Sequence, residues 1–496
     1  MPSSTDVESN ENHPLLRDGK KQHVNDENKK DRRIFTVFLI VLVFIGGLIC
    51  ISIGWKQHNS RSNNTESPWI YHTRGKSSQK DEYPWWETSN HVDTTYTKLQ
   101  GSLPAPIISA KDSKRTNNLR WGIVGLGRIA RDFTTALTMA GANITAVAAG
   151  SLPNATARAR HFANLYNNIP HSYGSYQELA ADPNVDIVYV ATINSLHYST
   201  AMMMLQAGKN VLLEKPMTME YTQAQALVKA AEKANRLLVT NYWTRFFPVV
   251  KYVRSILASG RLGDISAMRG DFGFPTPPIA NDRYLNRDSG GGAMLDVGCY
   301  LVNLALLVNP VLPQQIQASA QTTYMDHQYR IDTEMGFLLN WDSAKKTPSM
   351  MAVENNNKNE TKTTPMIFSG QASFRRPSSF EFEINAQHGR LVIHNPANAA
   401  TAATVYEYQT FGPLKHVEEI RSELPPFDVS FGPEQYPRGE GFVYIIREIE
   451  QCMFEKGIPG DAKPGCLELE ELTLQDQLLT VNVTDTVLRS AGYWDW

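Results

Sequence analysis

The chain is poor in cysteine: four of its 496 residues, and one of these, Cys50, lies inside an apolar run. That is too few to form a disulfide framework at this length, so a hydrophobic core must hold the fold. The other three are Cys299, Cys452 and Cys466, an odd number that leaves at least one free. Cys452 and Cys466 could pair if the compartment is oxidising. Long basic tracts are missing outside one short flank, and Lys+Arg 48 nearly balance Asp+Glu 50 for a formal net charge of -2. Nothing therefore points to nucleic acid, and a small molecule is the expected partner. No His, Cys and Asp cluster has metal-ligand spacing, so no metal is expected. What is present, 42% hydrophobic and 20% charged residues, suits a globular protein of two or three domains.

One uncharged run stands apart from the globular part. Ile34 to Gly54 reads IFTVFLIVLVFIGGLICISIG, and at ~1.5 Å per helical residue it spans a hydrocarbon layer of about 30 Å. Residues 1–33 are too long and polar a lead for a cleaved leader, so 34–54 is expected to be a retained transmembrane signal anchor. Lys29, Lys30, Arg32 and Arg33 precede it, against Lys56 and Arg61 after it. This bias places residues 1–33 in the cytosol and the globular part in a lumen or outside the cell, with the Golgi and endosomal system as the expected location. Sequons beginning at Asn63, Asn143, Asn154, Asn359 and Asn482 agree with that side. Glu11-Asn-His-Pro-Leu15-Leu16 has the form of an acidic dileucine signal, with sorting adaptors as the expected partners. Residues 55–117 are rich in Ser, Asn, Thr, Lys and Pro with no apolar period and read as a stem, though Tyr83, Trp85 and Trp86 suggest that part of it docks.

At Leu119 the pattern changes. LRWGIVGLGRIARDF is an apolar strand that leads into Gly125-x-Gly127-x-x-Ala130 and then a helical period. This is the phosphate-binding turn of a Rossmann unit, with Gly125 for the tight turn, Gly127 for the approach of a pyrophosphate, and Ala130 for close helix packing. Arg128 and Ile129 lie within it as further cofactor contacts. A second strand, Ile144 to Ala149, follows at the right distance, and it ends in Gly150-Ser151 where NAD enzymes usually present a carboxylate to the ribose. Without that carboxylate, and with Ser151, Arg128 and Arg158 at hand, NADP is expected over NAD. Strands at 187–192 and 210–213, separated by a helix, continue a parallel, doubly wound sheet over residues 118–241. Thr192, Asn194, His197, Glu214 and Lys215 then fall at the carboxyl ends of strands, where cofactor and substrate should meet.

GKNVLLEKPMT, ending at Thr218, resembles the EKP signature of the family of glucose-fructose oxidoreductase, inositol dehydrogenase and MocA (Gfo/Idh/MocA). Ser289-Gly-Gly-Gly-Ala-Met-Leu-Asp296-Val-Gly298-Cys-Tyr300 resembles its second signature. Asn241-Tyr-Trp243-Thr-Arg245-Phe246-Phe247-Pro248 and Leu262-Gly-Asp-Ile look most like the branch of dimeric dihydrodiol dehydrogenases, also described as NADP-linked D-xylose dehydrogenases. The resemblance runs from about residue 118 to the C-terminus, with residues 343–364 as an insertion. It implies an α/β Rossmann domain followed by an α+β domain over 242–496 with a largely antiparallel open sheet, a homodimer, and Pro216 in the cis form. Beyond residue 242 the sequence itself reads as helices followed by strands at 265–274, 314–324, 334–341 and 390–394.

The residues carry a chemistry of their own. Asp296 and Tyr300 are four apart where a helix begins and project from one face. Reducing a carbonyl needs a hydride and a proton donor near the oxygen, and Tyr300 can be that donor. A Lys215 ammonium beside it should lower its pKa. Trp243, Arg245 and Phe246 are expected to line the substrate site. The expected activity is an NADP-dependent oxidoreductase of a sugar, polyol or trans-dihydrodiol. A glycosidase with tightly held NAD and an inactive cofactor-binding scaffold stand as alternatives.

Overall fold

The computed structural model describes residues 98–103, 119–150, 153–276, 283–325, 329–342, 365–409, 412–432, 436–459 and 465–495. The expected anchor at 34–54, the Leu15-Leu16 signal, most of the stem, the sequons at Asn63 and Asn359, and Ser151 lie outside these residues. Within the expected stem, Lys98–Leu103 forms a strand, β1.

The dinucleotide half alternates strands and helices. It runs β2 (Arg120–Val124), α1 (Arg128–Ala140), β3 (Asn143–Ala148), α2 (Ala155–Leu165), β4 (His171–Tyr173), α3 (Tyr176–Ala181) and β5 (Ile187–Val190). It continues with α4 (His197–Gln206), β6 (Asn210–Leu213), α5 (Tyr221–Ala234) and β7 (Leu238–Thr240). The six strands are all parallel in the order β4-β3-β2-β5-β6-β7. Helices cover both faces of such a sheet, which is why IVYV in β5 and the VLL that follows Asn210 in β6 are apolar runs, with every residue of both strands buried. The order reverses between β2 and β5, and that crevice is where doubly wound sheets bind ligands. Local chemistry sets the helix ends: a Ser175–Glu178 capping box opens α3, and Gly141 closes α1 in the left-handed conformation.

After α6 (Pro248–Ala258) comes a mixed sheet with α7 (Cys299–Val308) beneath it. Its strands are β8 (Ile265–Gly273), β9 (Gln315–Met325), β10 (Tyr329–Trp341), β11 (Met366–Ser373), β12 (Phe382–Ala386), β13 (Gly389–Ile393), β14 (Ala402–Tyr408) and β15 (Leu414–Ser422). The nine-stranded order is β1-β15-β14-β13-β12-β8-β11-β10-β9, antiparallel except for the β1/β15 and β8/β11 pairs. Side chains alternate here: Met268, Phe272, Phe368 and Phe382 point into the core, while Arg269 and Glu383 pair on the outer side.

Two helices return to the first half. In α8 (Phe442–Lys456), Glu450 accepts from the Trp121 indole at 3.2 Å. In α9 (Leu474–Ser490), the Gln477 side-chain oxygen takes the backbone amide of Thr240 at the end of β7 at 2.7 Å. The two halves are thus joined by packing across residues 241 and 242, and β1, from the expected stem, belongs to the second sheet. Cys452 of α8 is joined to Cys466, and Cys299 is free and buried. Asn143 and Asn154 are exposed, whereas the Asn482 sequon lies within α9 with Thr484 buried and bonded to the Thr480 carbonyl.

Candidate active site

The phosphate turn is built by backbone. Gly125 has φ +85°, and a Cβ there would lie 2.5 Å from the Ala191 carbonyl oxygen at the end of β5, so only glycine fits. Nothing lies within 4 Å of the place where Gly127 would carry a Cβ, so its backbone faces open space. Gly127 is also the N-cap of α1, with no side-chain cap and no acidic residue in the first turn. The unsatisfied amides of that turn suit an anion. Across the crevice the Thr192 hydroxyl oxygen is buried with no hydrogen-bond partner. Open turn and orphaned hydroxyl together fit a dinucleotide.

Beyond this turn lies a cleft of about 900 Å³ open to solvent. Gly127, Arg128, Ile129, Thr192, Asn194 and His197 line it, together with Glu214, Lys215, Trp243, Asp296 and Tyr300. Ala130 is buried behind the turn, packed against the sheet. The lysine stands at the cis Lys215–Pro216 bond just past β6. Its Nζ donates to the Asp296 carbonyl at 2.6 Å and to Asp296 Oδ1 at 3.2 Å, and it sits 5.0 Å from the Tyr300 ring centroid. Tyr300 in turn accepts from the Trp243 indole at 3.0 Å.

Electrostatics fix the charge states. Burial works against the Lys215 ammonium and is the largest single effect, but Asp296, Tyr300, Cys299 and Tyr436 together outweigh it and hold its pKa well above the ordinary value. Burial would raise Asp296, yet Lys215 and Arg283 bring it below the usual carboxylate range. Tyr300 departs from expectation: Lys215 does pull its pKa down, but burial is the larger effect and the net direction is up. The group is therefore a phenol, not a phenolate, at neutral pH. Burial raises Glu214, against hydrogen bonds from Tyr189 at 2.7 Å and Asn241 at 2.6 Å. His197 is pushed down to about 4 by burial. Its ring nitrogens lie 2.7 Å from the Pro216 carbonyl and 3.2 Å from that of Thr192, and the neutral ring, with a single N–H, donates to one of the two.

Two residues expected on the substrate wall are elsewhere. Arg245 is 2% exposed and bonds Asn303 Oδ1 at 3.1 Å, the Glu471 carbonyl at 3.2 Å and Asp476 at 3.4 Å. It braces α9, because a buried guanidinium needs partners on several sides and finds them away from the cleft. Phe246 is fully packed in the core. In their place the structure brings Arg283 and Tyr436, which sequence reasoning missed. Arg283 donates to Asp296 Oδ1 at 3.1 Å and to the Tyr436 hydroxyl at 3.0 Å. Tyr436 is held by its own amide, which donates to Asp132 of α1 at 2.6 Å. Neither lies in a periodic or motif segment; a lone arginine six residues ahead of Ser289 was the only available signal.

A dinucleotide turn at a topological switch point, facing a lysine, a carboxylate and a proton-bearing tyrosine, defines an oxidoreductase that works with a nicotinamide dinucleotide. Comparison with known proteins gives the particular family. Residues 119–242 match the Gfo/Idh/MocA oxidoreductase family with its NAD-binding Rossmann fold, and 250–391 match the C-terminal domain of that family. The chain is 38% identical over 377 residues to a trans-1,2-dihydrobenzene-1,2-diol dehydrogenase of Xenopus laevis, covering 75% of this chain and 98% of the relative. The corresponding enzyme of Mus musculus is 37% identical over 227 residues, 45% of this chain and 65% of that protein. The chain belongs to the Gfo/Idh/MocA family. Among solved structures, the fold resembles an aldose-aldose oxidoreductase from Caulobacter crescentus complexed with glycerol (TM-score 0.55, 22% identity, 76% of this chain and 98% of that one). It also resembles a levoglucosan dehydrogenase in complex with NADH and levoglucosan (TM-score 0.57, 17% identity, 76% and 97%).

Proposed function

We propose that the chain is an NADP-dependent dehydrogenase of a sugar, polyol or trans-dihydrodiol, with Tyr300 exchanging the proton at the substrate oxygen. The observation that carries this reading is the Tyr300 hydroxyl, which accepts from Trp243 Nε1 at 3.0 Å within the cleft and so keeps its own proton for another partner. The names of the dihydrodiol dehydrogenases to which the chain is similar support a vicinal diol or sugar as substrate. The bound dinucleotide supplies hydride chemistry. The protein's own part is positional and electrostatic. Gly127, Ile129 and Thr192 hold the cofactor side, and Trp243 orients the Tyr300 phenol. Lys215 keeps its positive charge beside the reacting oxygen, with Asp296 fixing the ammonium in place. Because burial keeps Tyr300 protonated, it serves as a donor when a carbonyl is reduced, and oxidation of an alcohol should quicken as pH rises.

NADP preference is supported by the absence of a carboxylate at the end of β3. The Tyr176 hydroxyl stands 3.0 Å from where Gly150 would carry a Cβ, and Arg158 lies near enough for its charge to lower the Tyr176 pKa against the larger effect of burial. A 2′-phosphate would find a guanidinium and a hydroxyl there. For the N-terminal segment, the apolar run 34–54, its basic flank and the Cys452–Cys466 disulfide all support an anchored chain with its catalytic part on an oxidising, luminal or extracellular side.

The test is turnover of pentoses, hexoses and trans-diols by the solubilised full chain, followed by nicotinamide absorbance with NADP and NAD. Tyr300→Phe and Lys215→Met should each lower kcat by roughly 10²–10⁴-fold while NADPH still binds. Wild-type rates in both variants would remove Tyr300 and Lys215 from the chemistry.

A further inference from the structure

Asp332 is a carboxylate that the chemistry above leaves unused, and it is 0% exposed. It sits in β10 where the register against β9 slips: Asp332 pairs with Thr322 and Glu334 with Gln321, so Thr333 is an extra residue. Such a bulge breaks the alternation of side chains. Ile331, Asp332 and Thr333 are consecutively buried, and the bulge is what turns an acid inward. There Asp332 Oδ2 accepts the backbone amide of Met294 at 2.7 Å, and Oδ1 has no hydrogen-bond partner. Met294 opens the π-helical turn Met294–Gly298 that contains Asp296 and runs directly into α7 with Tyr300. π-Turns are marginal conformations and recur at functional sites. Gly292, at φ +115°, completes the seat, since a Cβ there would run into the Asp332 carboxylate.

Resting on the dehydrogenase reading, we propose that Asp332 is a positioning residue for the catalytic turn: its carboxylate, aimed by the β10 bulge, anchors the amide that starts the π-turn and so sets where Asp296 and Tyr300 stand. The charge on this carboxylate matters because an ionised acceptor holds an amide more tightly than a neutral one. Burial, against the backbone amides of Met294, Asp332 and Ala293, brings it to about 7. The charged groups on the surrounding elements are Arg330 and Glu334 of β10, Arg375 and Arg376 after β11, Arg287 and Asp288 ahead of the turn, and Asp296 within it; β9 carries none. None of them is a cause of that shift. The turn is therefore held most firmly above pH of about 7 and loosens below it.

Asp332→Asn in the solubilised full chain separates positioning from mere stability. The amide keeps an acceptor and cannot ionise. The expected result is a kcat on the order of 10-fold lower, an unchanged NADPH affinity, loss of the wild-type decline in kcat below about pH 7, and faster amide hydrogen exchange confined to residues 292–300. Wild-type kcat, pH profile and exchange in a folded variant would overturn the proposal. If Asp332→Asn does not fold, Gly292→Ala, which displaces the same carboxylate but leaves it able to ionise, is read by kcat and by exchange of residues 292–300. If neither folds, exchange of residues 292–300 in the wild type decides, corrected for intrinsic rates: slower exchange above pH 7 than below supports the proposal, and unchanged or faster exchange sinks it. Should the wild-type chain turn over no sugar or diol, the dehydrogenase reading fails, and the exchange result still decides what Asp332 does.

Discussion

Two glycine-containing turns meet at the cleft, and they are built on opposite plans. The turn at Gly125–Ala130 serves by its backbone and needs little from outside: one close approach from Ala191 and an open space before α1. The turn at Ser289–Tyr300 serves by presenting side chains, and it is held from far away in sequence. Asn194 donates to the Gly290 carbonyl at 2.8 Å, Tyr493 to that of Gly291 at 3.3 Å, and Asp332 takes Met294 N–H at 2.7 Å. A backbone site can be written in a few consecutive residues, whereas the placement of a reacting side chain needs a scaffold that only the whole fold supplies.

This contrast can be broken by experiment. The largest effect is expected at the first turn. Gly125→Val adds a Cβ 2.5 Å from the Ala191 carbonyl oxygen at a positive φ. Strain of about 1–2 kcal/mol from the left-handed backbone and about 1–3 kcal/mol from overpacking should combine to abolish binding of the nicotinamide dinucleotide, as read by fluorescence titration, and to lower Tm. Retained binding would mean the turn is less backbone-determined than its geometry indicates. Arg245→Met comes next. It removes a buried guanidinium paired with Asp476 and should cost about 3 kcal/mol in chemical denaturation. Once folded, it should leave KM unchanged, because Arg245 does not line the cleft; a raised KM would return it to the substrate wall.

Asp332 gives a pH signature of stability with a definite sign. Its folded pKa is raised from 3.8 to about 7, so the native state keeps a proton that the unfolded chain gives up over that window. Its contribution to global stability is present below about pH 4 and lost as pH rises through about 7, because burying the charge costs more than the amides return, even though the charged form holds the turn itself more tightly. Asp332→Asn should flatten that part of the stability profile. The smallest effect is expected from Tyr436→Phe, which deletes one hydroxyl at the rim of the cleft and the acceptor for Arg283 at 3.0 Å. A loss of about 1 kcal/mol in kcat/KM, with kcat less affected than KM, would place Tyr436 in substrate binding.

Much of the fold was legible in the order of residues. Unbroken apolar runs at β5 and β6 mark a sheet buried on both faces, and alternation at β8 marks one buried on a single face. β1 was not legible, because Lys98–Leu103 has no apolar period and becomes a strand only by pairing with the edge of β15. Lys215, Asp296 and Tyr300 meet in the cleft as their motifs implied. Arg245 and Phe246 stand in an equally suggestive motif yet point away, since a short motif does not say which side of the segment faces solvent.

The sequence by itself determined the phosphate turn, the alternation of strands and helices, and the residue types that face one another across the cleft. These depend on local propensity and period, which a few neighbours decide. Only the tertiary structure decided that Tyr300 is a phenol, that Arg283 and Tyr436 join the cleft, and that a carboxylate in β10 takes the amide at the start of the turn that carries Asp296. Each depends on burial or on contacts between segments distant in sequence. The physical reason is that desolvation and close packing belong to the folded assembly and have no value for a residue read alone.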